Sequence, residues 1–230
     1  METQEFAELF PLFHNLNKET LEWLISLVKT ETYQAGEVII NHDDWGSGFH
    51  LITSGWVKVQ HLYSARHITV EIIGRGGFVG EAGILGNHDF NSQVEAISTV
   101  TILTISAQRF IQILFRENQI QNRFLKIVVN RVTEYQKYYR YYHQTGKVRL
   151  VTILISLAEK YGENTENGIA IYNFSAQDLG DLAILSEADS QQILDKLVDK
   201  ELINIDRGQE ILILTNLKQL HHILGKLGNE

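Results

Sequence analysis

The feature that most constrains this chain is a change of texture at Ala107. Between residues 33 and 107 glycine recurs at positions 36, 46, 48, 55, 74, 76, 77, 80, 83 and 86. Short alternating runs lie between the glycines, such as GWVKVQHLY (55–63) and HITVEIIG (67–74), and a β-branched run, VEAISTVTILTI, covers 94–105. Several short strands separated by turn residues predict a compact β-roll or jelly-roll barrel. From Ala107 to about Gln144 the apolar period becomes helical. Leu125, Val128, Val132, Tyr135, Tyr139 and Tyr142 alternate spacings of three and four. That is the a/d seam of a coiled coil. A small β-roll offers nothing to cover such a seam, so a parallel homodimer is expected.

The flanks complete the plan. Residues 3–31 read as short helices, with Leu21, Leu24, Ile25 and Val28 on one amphipathic face. Thr145-Gly146 breaks the long helix, and Lys147 to Tyr161 forms another. A polar loop over 162–168 and a strand over 169–174 follow. Ser175 with Asp178 resembles a capping box that opens a helix to Ala183, and Ser186 with Asp189 repeats the signal for a helix to about Lys200. The segment 203–214 reads as a hairpin. Helix, tight turn, helix and hairpin make a winged helix-turn-helix. The expected fold class is α+β, with boundaries at 1–106, 107–144 and 145–230.

Composition narrows the chemistry. There is no cysteine, which excludes a disulfide framework, a thiolate metal site and a cysteine nucleophile. The formal charge is −8 over 230 residues, a poor balance for nucleic acid unless the basic groups cluster. They do so only at 116–145, which holds six Lys/Arg against two Asp/Glu. The acidic N-terminus lacks a signal peptide's basic region, and no apolar stretch reaches the ~18 residues of a membrane span. A soluble cytoplasmic protein without membrane contact is expected. No H-x-H pair accompanies the histidines, so no metal site is expected. The run GRGGFVG (74–80) does not fit a dinucleotide fingerprint, and no hydrolase, zinc-protease or P-loop motif occurs. Catalysis has no support, and no cofactor is expected.

The order of segments, with YQAGEVIINHDD (33–44), FHLITSGWVKV (49–59), GGFVGEAGILG (76–86) and FSAQDLGDLAILSEADSQQILDKLVDKELI (174–203), resembles the Crp/Fnr family of bacterial regulators along nearly the whole chain. The resemblance implies a cyclic-nucleotide-binding-type β-roll, a dimer through the long helix and a DNA-reading C-terminal module. Two departures bear on function. Members that bind cyclic AMP or cyclic GMP follow the Gly-Glu pair with an Arg that holds the cyclic phosphate. Here Gly80-Glu81 is followed by HDFNSQVEA (88–96), with Phe90 or Asn91 in the Arg position and Ser92 after it. A phosphate without that Arg loses a charge-assisted hydrogen bond of about 1.5–3 kcal/mol. In the recognition helix, both family Arg positions are replaced, by Glu187 and Gln192. Residues 175–200 carry six acids (Asp178, Asp181, Glu187, Asp189, Asp195, Asp199) against Lys196 and Lys200, which repels a phosphate-lined groove.

Together these departures resemble the cyanobacterial Crp-like receptors for cyclic-di-GMP, in which the resemblance implies relay to a partner transcription factor. The expected ligand site comprises Arg66, Arg75, Gly80, Glu81, Asn91, Ser92, Arg123, Arg131 and Thr133. Arginines suit a two-phosphate, two-guanine ligand because the guanidinium pairs with phosphate and stacks on guanine. Cyclic AMP is the less favoured ligand. The expected partner or DNA face is Glu187, Gln191, Gln192 and Lys196. The leading expectation is a homodimeric second-messenger sensor acting through a protein partner. The alternatives are a sequence-specific DNA-binding factor reading through Gln191, Gln192 and Lys196, and a dimerisation scaffold with a dead pocket.

Overall fold

The computed structural model describes residues 2–86 and 91–227. It divides into two compact units, Met1–His67 with Ile72–Tyr135, and Ile68–Glu71 with Gln136–Glu230. In chain order the elements begin with α1 (Thr3–Leu9), α2 (Lys18–Ser26), β1 (Lys29–Tyr33), β2 (Val38–Ile40), β3 (Gly48–Ser54), β4 (Val57–Tyr63) and β5 (Arg66–Ile73). β6 (Phe78–Val79), α3 (Glu81–Leu85), β7 (Ser92–Ala96), β8 (Val100–Ser106), α4 (Ala107–Arg116) and α5 (Asn118–Tyr141) follow. The rest of the chain forms α6 (Gly146–Tyr161), β9 (Glu163–Thr165), β10 (Gly168–Tyr172), α7 (Ala176–Ala183), α8 (Glu187–Asp199), β11 (Ile203–Asp206), β12 (Ile211–Leu214) and α9 (Leu217–Leu227).

The glycine-punctuated segment forms two four-stranded sheets, β1-β8-β3-β6 and β2-β7-β4-β5, rather than a closed barrel. Alternation explains the faces: every second residue of β7 is buried, starting at Ser92. β3 is buried along most of its length, because Phe49 and Leu51 sit opposite Ile105 and Leu103 of β8. The core is aromatic. Phe49 stacks on Phe110 of α4 with centroids 3.9 Å apart, and both meet Phe124 of α5 edge-on. Phe6, Phe10 and Phe13 extend the same core from the N-terminal helices.

The helical stretch after Ala107 is not continuous. It breaks at Glu117, whose φ of −115° and ψ of 86° leave the helical region. α4 buries Phe110, Ile113 and Leu114, and the break redirects the chain so that Ile120 and Phe124 of α5 also reach the core. α5 has two apolar faces. Ile127 and Val128 pack against the core, whereas Leu125, Val129, Val132, Tyr135, Tyr139 and Tyr142 are at least half exposed. Val128 therefore leaves the expected seam and Val129 takes its place on the exposed stripe.

The second unit is built on α6, which buries eight residues from Val148 to Ala158. The sheet is β11-β12-β10-β9. Residues 162–168, expected to be a polar loop, instead pair as β9 and a turn onto β10. Gly168 closes that turn at φ +136°, where a Cβ would lie 2.2 Å from the Leu214 carbonyl oxygen. Both expected N-caps form, with each Asp carboxylate accepting from the Ser hydroxyl rather than from its backbone N–H. Ser175 Oγ accepts from the Asp178 N–H at 3.0 Å, and Ser186 Oγ accepts from the Asp189 N–H at 3.1 Å. α9 was not foreseen. Asn216 accepts from the Gln219 N–H at its start, and Leu220 is fully buried. No helix among the described residues is long and apolar enough to cross a membrane.

Candidate functional site: the Gly80–Glu81 loop

The loop from β6 into α3 is fixed by backbone contacts that only glycine permits. Gly80 has φ +101°, and a Cβ there would lie 2.3 Å from the Gly48 carbonyl oxygen. At Gly83 a Cβ would lie 2.5 Å from the Gly46 nitrogen, so α3 rests directly on the 45–46 turn. From that turn the Trp45 indole N–H donates to the Ser92 carbonyl oxygen. Glu81, the 45–46 turn and the first residue of β7 are thereby knitted together.

Arg131 of α5 reaches this loop. One guanidinium nitrogen donates to a Glu81 carboxylate oxygen and another to the Phe78 carbonyl oxygen at 2.9 Å. The guanidinium also lies 4.3 Å above the Phe78 ring. The Arg131 and Glu81 side chains are 18% and 17% exposed, so solvent screens their attraction less than at an open surface. One carboxylate from the β-roll and one cation from the central helix share a single site.

Two buried polar atoms near the loop have no partner among the described residues. The Ser92 side chain is buried with its hydroxyl oxygen unpaired. His50 of β3 sits opposite Val79 and bonds through Nδ1 to the Thr104 hydroxyl at 3.0 Å, while its Nε2 is buried and unpaired. Burial pushes the His50 pKa down to about 4, so the ring is neutral at pH 7.

Out of the expected set the structure brings Gly80, Glu81 and Arg131 together, with the Ser92 backbone tied to the same loop through Trp45. Phe78 was missed: its presence in GGFVGEAG was legible, but the direction of its carbonyl was not. Asn91 is exposed, and its carbonyl accepts from the Leu62 N–H at 2.7 Å. Arg66 opens β5 and Arg75 lies in the turn after it, both exposed. Thr133 is exposed and its hydroxyl bonds back to the Val129 carbonyl at 3.0 Å. Arg123 is half-buried and donates to Gln119 at 3.2 Å, with its other terminal nitrogen buried and unpaired. Phe90 lies outside the described residues. No cluster of His, Asp and Glu fit to hold a metal occurs among the described residues.

On the second unit, Glu187, Gln191, Gln192 and Lys196 are all exposed on α8. Gln191 is tied to Asp195 by a 2.8 Å bond. The acidity of the module is more internal than its sequence implies. Asp178 is 7% exposed and accepts from the Ser175 and Thr69 hydroxyls, each at 2.7 Å. Asp181 accepts from the Thr69 N–H and from Gln177. The remaining four acids, not six, face solvent. Lys147 at the start of α6 has its pKa lowered by partial burial and by the positive charges of Lys200 and Lys196.

Paired antiparallel sheets, a glycine-bounded loop ending in Gly-Glu and an α-helical arm that reaches it are similar to the architecture of a cyclic nucleotide-binding domain, here followed by a winged helix-turn-helix. The family model described as the cyclic nucleotide-binding domain matches residues 30–117. A probable transcriptional regulator, flp, of Lacticaseibacillus casei is 29% identical over 159 residues, covering 67% of this chain and 71% of the relative. A cGMP-dependent protein kinase of Drosophila melanogaster is 25% identical over 127 residues, but the match spans only 14% of the kinase. Among solved structures, FixK2 of Bradyrhizobium japonicum superposes with a TM-score of 0.71 at 16% identity, covering 85% of this chain and 96% of that one. The regulator CLP of Xanthomonas campestris, described as c-di-GMP responsive, gives 0.65 at 18% identity, covering 87% and 100%. Family model and relatives together show that residues 30–117 are similar to a cyclic nucleotide-binding domain and that the chain is similar to transcriptional regulators.

Proposed function

We propose that this chain is a homodimeric second-messenger sensor whose β-roll takes an anionic nucleotide, cyclic-di-GMP in preference to cyclic AMP. The observation that carries the reading is the Arg131–Glu81 pair. The arginine absent from position 90 or 91 has a counterpart on α5, beside the Gly-Glu turn and within one residue of the exposed stripe. A ligand phosphate competes with Glu81 for Arg131, and Glu81 is then released to accept from the ligand's hydroxyl or base N–H groups. The buried, unpaired Ser92 hydroxyl supplies a further donor. The likeness to the c-di-GMP-responsive Xanthomonas regulator favours the dinucleotide. Ligand binding shifts the population of α5 arrangements, and the helix-turn-helix module then engages or releases a protein partner, a transcription factor by preference. The exposed acids on α8 support a protein partner over DNA.

Calorimetric titration with cyclic-di-GMP, with cyclic AMP as control, tests the ligand. We expect binding of the dinucleotide alone, weakened roughly tenfold or more in Arg131→Ala because a charge-assisted hydrogen bond is lost. Binding of cyclic AMP alone, or an Arg131→Ala protein that binds as well as the wild type, overturns the proposal.

A second reading, a sequence-specific DNA-binding factor, is favoured by the exposed Lys196 and Lys200, whose positive charge also acts on Lys147. These offer phosphate contacts beside the Gln191 and Gln192 side chains, which can read adenine. A promoter fragment retarded at low salt and released at high salt, with loss of retardation in Lys147→Glu, selects that reading.

A further inference from the structure

One side chain bridges the end of α7 and the connection from α5 to α6 in the second unit. Arg149, half-buried on α6, turns its Nε and one terminal nitrogen toward the end of α7. They donate to the Ala183 carbonyl at 2.7 Å and the Ile184 carbonyl at 3.1 Å. Its other terminal nitrogen donates to the carbonyls of Gln144, at 2.6 Å, and Tyr142, at 3.4 Å, just beyond the end of α5. Helix C-termini leave carbonyls without intrahelical partners and carry partial negative charge. A planar, permanently charged fork with five N–H donors can serve such an end and a neighbouring connection at once, which a lysine ammonium cannot do in fixed geometry.

The α7 end is an unusual one to hold. The Leu185 N–H bonds to the Gly180 carbonyl at 2.8 Å and the Ile184 N–H to the Asp181 carbonyl at 3.3 Å. This is a Schellman turn, whose left-handed position normally takes glycine. Here Ile184 occupies it at φ 54° and ψ 55°, a conformation β-branched residues rarely adopt, with 61% of its surface exposed. This turn sets the crossing of α7 and α8, which approach so closely that a Cβ on Gly180 would lie 2.7 Å from Ser190 Oγ. Strain at such a position persists only when the surroundings hold it, and the bonds from Arg149 to the Ala183 and Ile184 carbonyls supply that hold.

We propose that Arg149 is a positioning residue that couples the C-terminal end of α5 to the turn of the helix-turn-helix. A displacement of the α5 end then either carries the Ala183–Ile184 carbonyls with it or breaks charge-assisted bonds. The inference concerns the second unit alone and stands apart from the identity of the ligand.

Amide hydrogen exchange on the full-length protein, followed in peptides covering 140–145 and 181–187, tests it. In Arg149→Gln, both peptides exchange faster together, roughly tenfold or more for loss of bonds to a charged donor. Acceleration in one peptide only, or in neither, overturns the proposal. Ile184→Gly relaxes the turn and changes exchange at 140–145 when Arg149 is present, but not in the Arg149→Gln background. A response at 140–145 that survives loss of Arg149 also overturns it. Should circular dichroism show that Arg149→Gln does not fold, Arg149→Lys replaces it in both comparisons. A lysine that protects both ends as well as arginine overturns the coupling.

Discussion

Arg131 and His50 both bear on the Gly80–Glu81 turn, one as a shielded cation and the other as a neutral ring. A Cβ added to Gly80 would lie 3.0 Å from His50 Cδ2, so the ring packs directly against the turn. Its pKa of about 4 has a consequence for stability. In the unfolded chain the same ring titrates near 6.5, so between those values the unfolded state binds more protons. The contribution is fully present above pH 6.5 and is lost as pH falls toward 4. Over that window the cost is about 3 kcal/mol. Urea unfolding at pH 7 and pH 5 should show the drop, and His50→Gln should flatten it. A wild-type midpoint indifferent to this range would refute the buried neutral ring. At this scale the sequence was legible where chemistry is carried by residue type. Glu81 and Arg131 stood out as a carboxylate in a glycine loop and a cation on a helix. Their pairing was not legible, because it depends on where the break at Glu117 aims α5. His50 was one of several histidines, and only the register of β3 against β6 and β8 buries it.

Element boundaries followed local chemistry more closely than contacts did. Ser175 and Ser186 announced α7 and α8 through a hydroxyl three residues ahead of a carboxylate, and both caps form. The Ser175 cap is the more consequential, since its hydroxyl also donates to the buried Asp178 carboxylate. Ser175→Ala should lower unfolding stability by about 1–2 kcal/mol, toward the upper part of the range for a lost N-cap. The loss is measurable as a lower denaturation midpoint with unchanged m-value. An effect no larger than that of Ser186→Ala, whose partner Asp189 is exposed, would show that burial of the carboxylate adds nothing. Three elements escaped the sequence for identifiable reasons. The break at Glu117 carries no glycine or proline and is imposed by packing of Phe110 and Phe124 on Phe49. β9 is polar on every residue and exists because β10 offers it a partner edge. α9 starts at a plain Asn216 cap, but its apolar residues acquire meaning only against α6.

At the scale of the whole molecule, α5 is the element that both units share, through Tyr135 in one and from Gln136 in the other. Its exposed stripe is too long and too apolar for a helix that ends its packing at the core. Leu125 is 60% exposed, Val132 51% and Tyr139 74%. A parallel homodimer is the occupant proposed for it. Val132→Glu should then sediment as a monomer at micromolar concentration, with the pocket residues untouched, whereas the wild type sediments as a dimer. A Val132→Glu dimer would move the interface elsewhere.

Arg131 and Val132 are adjacent on α5, yet one is clasped by Glu81 and the other lies on the exposed stripe. If the proposed ligand at Arg131 and the proposed dimer at Val132 are coupled, linkage makes them reciprocal: whatever factor the ligand gives to dimer affinity, dimerisation returns to ligand affinity. The threshold at which such a receptor responds is then not a constant of the binding site. Under that proposal it would move with the abundance of the receptor itself, so that a cell would tune its sensitivity to the messenger by how much of this chain it makes.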